Sequence, residues 1–174
     1  LIFLMNIAVY GYYYKNNIGD QLFIEAFNNL FPTYNFLFVN HLTEKILENV
    51  DVVFFGGGSF LLENPLIDNL SLLKKKKIFY IGVGVENEIH STHLELLKIA
   101  KLVAIRNNNK LEYLASINKN TIYIPDIVYS LNKNNIINDI NPKSVLFLPN
   151  AHLVPKNNEP LWKYNLWEYY KSEF

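Results

Sequence analysis

The sequence has no cysteine, a single arginine (Arg106) and no net charge, because sixteen basic and sixteen acidic residues cancel. Without cysteine there is no disulfide, no thiolate nucleophile and no cysteine-ligated zinc or iron–sulfur site, which fits a reducing compartment, and we expect a cytoplasmic location. Without a positive field, the chain is not a general binder of nucleic acid or of anionic membranes. The apolar opening ends at Asn6, far short of the roughly 20 residues that span a bilayer, so no membrane span is predicted.

What is present is a chain of 174 residues, 50% hydrophobic, which suffices for one domain with a sizeable core. Continuous apolar runs alternate with segments of helical spacing, as in βαβ units around a parallel sheet with both faces covered. The predicted strands are 7–10, 36–39, 52–55, 78–81, 102–105, 121–124 and 145–148, and the predicted helices are 21–30, 43–48, 65–75, 92–100 and 110–116. The pattern predicts an α/β, Rossmann-like three-layer domain with a mainly parallel sheet of six or seven strands.

Composition divides the chain into three parts. We expect a Rossmann-like lobe at 5–130, beginning at the only methionine, and an asparagine-rich linker at 131–143. Two interpretations of 144–174 stay open: a tail that packs back on the sheet, or the start of a truncated second lobe.

The segment after the first predicted strand is the first candidate for ligand contact, since ligands bind beyond the carboxyl ends of parallel strands. This loop holds Tyr13 and Asn17 and then leads through Gly19 and Asp20 into a helix. Gly19 permits a tight or left-handed turn. Asp20 is either the N-cap of the helix or a ligand-binding carboxylate.

Glycines follow two further strands. Gly56, Gly57 and Gly58 precede Ser59, while Gly82 and Gly84 end the next strand. Glycine lets backbone N–H groups approach a ligand and Ser59 adds a hydroxyl, although such glycines also serve close packing of helix on strand. Neither stretch fits a dinucleotide fingerprint or a P-loop.

Arg106 and Asp126 each follow a predicted strand at the same edge. The guanidinium could grip a phosphate or carboxylate through two parallel hydrogen bonds, or it could form a surface ion pair. Asp126 is either a site carboxylate or the cap of the next turn.

The histidines carry weaker signals. His90 and His93 are three residues apart, without an evident third zinc ligand, so we interpret them as a solvated pair. His41 follows a strand, where a surface role is favoured. We therefore expect no metal, and no spacing indicates a catalytic triad or a carboxylate pair.

In this order and spacing the motifs resemble the polysaccharide pyruvyl transferase family. The resemblance spans about 5–126, with a weaker echo at 146–150. It is carried by Gly11, Asn-Ile-Gly-Asp at 17–20, Asp-Val-Val-Phe-Phe-Gly-Gly-Gly-Ser at 51–59, Ile-Gly-Val-Gly at 81–84, Ala-Ile-Arg at 104–106 and Pro-Asp at 125–126.

The resemblance implies two Rossmann-like lobes of GT-B type and transfer of a pyruvyl group from phosphoenolpyruvate to sugar hydroxyls as a ketal, in exopolysaccharide synthesis. It implies a glycan or sugar acceptor as partner and no cofactor beyond the donor substrate. The chain has roughly half the length expected of the family, whose donor-binding basic residues and catalytic histidine belong mainly to the second lobe. The matching positions are therefore expected to shape the acceptor side, and this chain alone is expected not to transfer pyruvate.

Two alternatives stay open: a nucleotide-sugar glycosyltransferase lobe, which is also built from paired α/β lobes, and a non-catalytic glycan-binding or interaction module. The reading frame beyond Phe174 discriminates the enzymes from the module, since a second α/β half favours an enzyme.

Overall fold

A computed structural model describes residues 6–15, 17–85 and 88–131. Its centre is a six-stranded sheet in which every pairing is parallel. The strands are β1 (Asn6–Tyr10), β2 (Asn35–Val39), β3 (Val52–Gly56), β4 (Lys77–Val83), β5 (Leu102–Ile105) and β6 (Thr121–Tyr123), in the order β2-β1-β3-β4-β5-β6. This confirms the α/β, Rossmann-like prediction. Apart from Leu131, the predicted linker, seventh strand and tail lie outside the described residues.

Five α-helices connect the strands: α1 (Ile18–Leu30), α2 (Glu44–Asn49), α3 (Leu70–Leu73), α4 (Ser91–Ile99) and α5 (Leu111–Ile117). Short 3-10 turns occupy Phe60–Leu62, Asn108–Lys110 and Ile127–Ser130. Side chains begin several of the helices, since Asn17, Thr43, Asn69 and His90 each accept a hydrogen bond from a backbone N–H of the first turn.

The helix predicted at 65–75 is wrong over most of its length. The Asn69 side chain accepts from the Leu72 N–H at 2.9 Å, so the helix begins only after Asn69. The apolar residues before it are used differently, because Ile67 forms a parallel bridge with Leu42. These apolar residues therefore have helical spacing in the sequence but pack as part of a loop.

The two faces of the sheet carry separate cores. On one face, α1 packs an aromatic cluster in which Phe23 and Phe27 meet Val9, Tyr13 and Phe38. The larger core on the other face contains residues from the remaining helices: Leu47 (α2), Leu73 (α3), Leu96 and Leu97 (α4) and Leu114 (α5). The domain is therefore doubly wound, with α1 on one side and α2 to α5 on the other.

The strand order reverses between β1 and β3. The chain leaves β1 toward β2, whereas β3, β4, β5 and β6 follow one another in the opposite direction. A crevice opens outside the carboxyl ends of the strands at such a switch point, and it is the usual ligand position in open α/β sheets. The loop after β1, the N-terminus of α1 and the glycines after β3 all lie at this point.

Candidate functional site

A cavity of about 410 Å³ opens beside the N-terminus of α1, at the carboxyl edge of the sheet. We call it the α1 pocket. Its lining residues are Asn17, Gly19, Asp20, Leu22, Phe23, Gly57, Gly58, Arg106, Asp126, Val128 and Tyr129. Seven residues proposed from the sequence are thus brought together from four separate segments of the chain: Asn17, Gly19, Asp20, Gly57, Gly58, Arg106 and Asp126.

The first turn of α1 forms one wall. Asn17 is the N-cap, with extended backbone, and its Oδ1 accepts from the Gly19 N–H at 2.9 Å. The interpretation of Asp20 as the cap is therefore wrong, because Asp20 lies one residue beyond the helix position that Asn17 satisfies. Gly19 is helical, so the left-handed turn expected there is also absent.

Asp20 is buried although it carries a carboxylate. It is 6% exposed, and its Oδ2 atom has no hydrogen-bond partner among the described residues. Burial raises the pKa of the Asp20 carboxyl above its usual value, and the positive charge of Arg106 opposes this shift only in part. The pocket thus contains a carboxylate that binds a proton more readily than an ordinary aspartate.

Arg106 and Asp126 form the opposite wall as an ion pair. The Arg106 Nη1 donates to Asp126 Oδ2 at 2.7 Å, and both side chains are partly buried. The other oxygen of Asp126 accepts from the Val128 N–H at 3.2 Å and caps the 3-10 turn. Asp126 is therefore the cap of this turn and also lines the α1 pocket.

The glycines after β3 and β4 bring the two loops into contact. The Gly57 N–H donates to the Ile81 carbonyl at 3.2 Å, and the Gly84 N–H donates to the Gly58 carbonyl at 2.8 Å. Gly84 also leaves room for the guanidinium, since a Cβ there would lie 3.2 Å from the Arg106 Nε. Gly84 positions the arginine and does not itself line the pocket.

Gly57 has a different constraint. Its φ is +71°, and a Cβ would lie 3.1 Å from a ring carbon of Phe23. A Gly57→Ala change is expected to lower the free energy of unfolding by about 1–3 kcal/mol, from the left-handed backbone and the tight contact. Gly19→Ala is the matched control: its backbone is helical and a Cβ there would meet only the Asn17 Oδ1, at 3.3 Å, so its cost should be smaller than that of Gly57→Ala. Chemical denaturation would measure both, and equal effects would contradict the argument.

Tyr13 does not contact the pocket. Its side chain is fully buried among the aromatics of the α1 face, and its hydroxyl donates to the Gly56 carbonyl at 2.9 Å. The prediction that Tyr13 binds substrate directly does not fit this placement. Tyr13 instead joins the loop after β1 to the end of β3 and supports the floor of the site.

The other proposed positions also lie around the pocket without lining it. Gly56 is the buried last residue of β3, Gly82 occupies an irregularity in β4 with φ of +65°, and Ser59 is solvent-exposed. Sequence reasoning missed Leu22, Phe23, Val128 and Tyr129, which line it. The available signal for Tyr129, which is 78% exposed, was its place three residues after Asp126, in the segment that follows the last predicted strand of the lobe.

The histidines that the structure describes have structural roles. His90 caps α4, and His93 is fully buried with its Nδ1 3.0 Å from the Tyr80 hydroxyl, so the interpretation as a solvated pair is wrong. His41 is exposed and paired with Asp68, with Nε2 2.6 Å from Oδ1. No group of three potential metal-ligating side chains occurs within 6–15, 17–85 and 88–131.

The family model described as polysaccharide pyruvyl transferase matches residues 17–172, well beyond the motifs that end at Asp126. No curated protein and no solved structure matches the chain. In the part of the chain that the structure describes, no helix has the length and apolar character needed to cross a membrane. The family match covers most of the sequence and includes every residue of the α1 pocket, and the chain therefore belongs to the polysaccharide pyruvyl transferase family.

Proposed function

We propose that the protein transfers a pyruvyl group from phosphoenolpyruvate to hydroxyls of a sugar, forming a ketal, and that the α1 pocket receives the sugar acceptor. Membership of the family supports the reaction class. The pairing of Arg106 with Asp126 inside the pocket is the observation that supports the acceptor assignment. This ion pair helps to decide whether the pocket suits the sugar acceptor or phosphoenolpyruvate.

The charges of the pocket favour a neutral ligand. Among the described residues that line it, Arg106 is the only cationic side chain, and it shares the pocket with two carboxylates, Asp126 and Asp20. Phosphoenolpyruvate carries both a phosphate and a carboxylate, and it calls for several unpaired cations or N–H donors. The donor is therefore assigned to basic residues outside this pocket, in keeping with a two-lobed GT-B arrangement.

Sugar hydroxyls fit the groups that line the pocket. A hydroxyl both donates and accepts, and the walls offer acceptors on Asp20 and Asp126 and the amide of Asn17. Phe23 supplies an apolar floor and Tyr129 an exposed ring at the rim. Convergent polar groups over an apolar floor are typical of small-molecule sites.

Binding measurements separate the two assignments. Amide NMR shifts would be followed in the labelled protein during titration with methyl glycosides of glucose, galactose and mannose, and separately with inorganic phosphate and phosphoenolpyruvate. At least one glycoside should shift the Gly19, Gly57 and Gly58 amides, and the anions should not. If the anions shift these amides and every glycoside leaves them unchanged, the acceptor assignment is wrong.

The Arg106→Lys variant tests the ion pair. Lysine keeps the charge but lacks the planar guanidinium that donates to Asp126 and fits beside Gly84. Glycoside affinity should therefore fall about tenfold while the protein stays folded. The control is Lys101→Arg, an exposed position just before β5 at the opposite edge of the sheet, which should bind normally. An early thermal melt with normal binding would make Arg106 a scaffold residue.

The full-length protein tests the reaction. Incubation with phosphoenolpyruvate and the glycoside that binds should release phosphate and yield a product of the mass of the pyruvyl ketal. A glycan-binding module would bind the same glycoside without releasing phosphate, and a glycosyltransferase would consume a nucleotide sugar instead.

A further inference from the structure

Asp20 places a buried carboxylate in the α1 pocket, and one of its oxygens has no hydrogen-bond partner among the described residues. The residue is more than nine-tenths buried and lines the cavity, and that oxygen is Oδ2. Buried carboxylates in native proteins nearly always have partners, and an exception calls for an explanation. A group that accepts a hydrogen bond or a proton from a ligand is such an explanation.

The hydrogen bonds that the neighbours of Asp20 donate go to other groups. The guanidinium of Arg106, close enough to act on Asp20 electrostatically, donates its Nη1 hydrogen to Asp126. The hydroxyl of Tyr13, below Asp20, donates to the Gly56 carbonyl. The charged and titratable groups facing Asp20 are therefore Arg106, Asp126 and Tyr13, with Tyr129 at the rim of the same cavity.

We propose that Asp20 is the base that takes the proton from the sugar hydroxyl as that hydroxyl attacks phosphoenolpyruvate. This inference rests on the proposed function and deepens it, by giving one lining residue a catalytic role. The position is suited to it, because Asp20 lines the pocket together with Gly57 and Gly58, so that a hydroxyl bound there lies beside the Asp20 carboxylate.

The hydroxyl O–H bond breaks, its proton passes to Asp20, and its oxygen forms a bond to C2 of phosphoenolpyruvate. The C2–C3 double bond opens and its electron pair takes a proton at C3 from a general acid outside this pocket. A second sugar hydroxyl then displaces phosphate at C2: a C–O bond forms, the bond to the phosphate oxygen breaks, and phosphate leaves with that electron pair and the second proton. Asp20 returns its proton to solvent, from which the acid is recharged.

The raised pKa of the Asp20 carboxyl fits this role, since a more basic carboxylate is a better proton acceptor. Asp20 must be ionised to act, so activity should fall as the pH drops through its pKa. The acidic limb of the kcat profile should accordingly lie at a higher pH than an ordinary aspartate would give.

The test compares Asp20→Asn with wild type in the full-length protein, using phosphoenolpyruvate and the glycoside that binds. The kcat should fall about 100-fold or more while KM for the glycoside changes little, since asparagine keeps the shape but cannot take a proton. The acidic limb should disappear from the residual activity. Glu25→Gln, an exposed position on the same helix, is the matched control and should behave as wild type.

Chemical rescue gives a second measurement. In an Asp20→Ala variant, added acetate should restore part of kcat, because a small carboxylate can enter the vacated space. Should Asp20→Asn fail to fold, rescue of Asp20→Ala by acetate decides the question alone, and its absence overturns the proposal.

Other outcomes discriminate the inference from the function on which it rests. If the wild-type protein binds no glycoside and releases no phosphate, the proposed function fails. If it does both while Asp20→Asn keeps kcat within threefold, or raises KM alone with an unchanged pH profile, Asp20 is not the base and the proposed function stands.

Discussion

Replacement of Phe27 by alanine is expected to lower the free energy of unfolding by about 3–5 kcal/mol, the cost of removing a large buried aromatic side chain. Phe27 is fully buried on α1 and lies at the centre of the smaller core. Its ring centroid is 5.1 Å from that of Phe23, 5.1 Å from Phe36 and 5.5 Å from Phe54. Truncation would leave a cavity that these rigid rings cannot easily fill.

The control is Phe31→Ala at the end of the same helix. Phe31 also contacts Phe27 but is 40% exposed, so its truncation should cost only about 1 kcal/mol. Urea denaturation of both variants would measure the difference. Losses of similar size would show that the core on the α1 face collapses around the missing ring. Because Phe23 packs on Phe27 and forms the floor of the α1 pocket, Phe27→Ala should weaken glycoside binding as well.

Acidification from pH 7 to pH 4 is expected to lower the free energy of unfolding by about 2–3 kcal/mol through His93 alone. The ring is fully buried, against the Tyr80 hydroxyl and edge-on to Phe55. Burial lowers the pKa of His93 to about 4, and the charge of His90 acts in the same direction. The folded protein therefore keeps this histidine neutral.

In the unfolded chain the histidine has its ordinary pKa of about 6.5, so the unfolded chain binds a proton at a higher pH than the folded protein does, and a lower pH favours unfolding. The contribution of neutral His93 to the free energy of unfolding is therefore present in full well above pH 6.5. It is lost as the pH falls from 6.5 toward 4, and the loss levels off below pH 4. Denaturation curves of wild type and His93→Gln between pH 4 and 7 should converge toward low pH, because only wild type loses this contribution. A constant difference between wild type and His93→Gln would refute the assignment.

The strands were predictable because buried parallel strands are continuous apolar runs, and all six described strands lie within a few residues of their predicted bounds. β4 is longer than expected since its irregularity at Gly82 lets pairing continue to Val83. Helix starts were harder to predict, because side-chain hydrogen bonds decide them. Asn17 rather than Asp20 begins α1, and Asn69 delays α3 past an apolar stretch that has helical spacing.

For the candidate site, topology made the grouping predictable but not the individual roles. Residues that follow parallel strands share one edge, which is why Arg106, Asp126 and Gly57 line one pocket. The burial of Tyr13 and His93 depends on partners far away in the sequence, Gly56 for one and Tyr80 for the other. No local pattern distinguishes such a side chain from one that faces solvent.

The strand order also determines how the domain can assemble as it is synthesised. β1 lies between β2 and β3, yet it leaves the ribosome before either of them. β2 emerges next and can pair with one edge of β1, while the other edge stays unpaired until β3 (Val52–Gly56) has been translated. Four of the five residues of β1 are buried in the finished sheet, so the nascent chain presents an apolar strand with an open edge during this interval. A ribosome that stalls between β2 and β3 would therefore hold a nascent chain whose buried strand β1 has one unpaired edge, a state in which the chain is prone to aggregate.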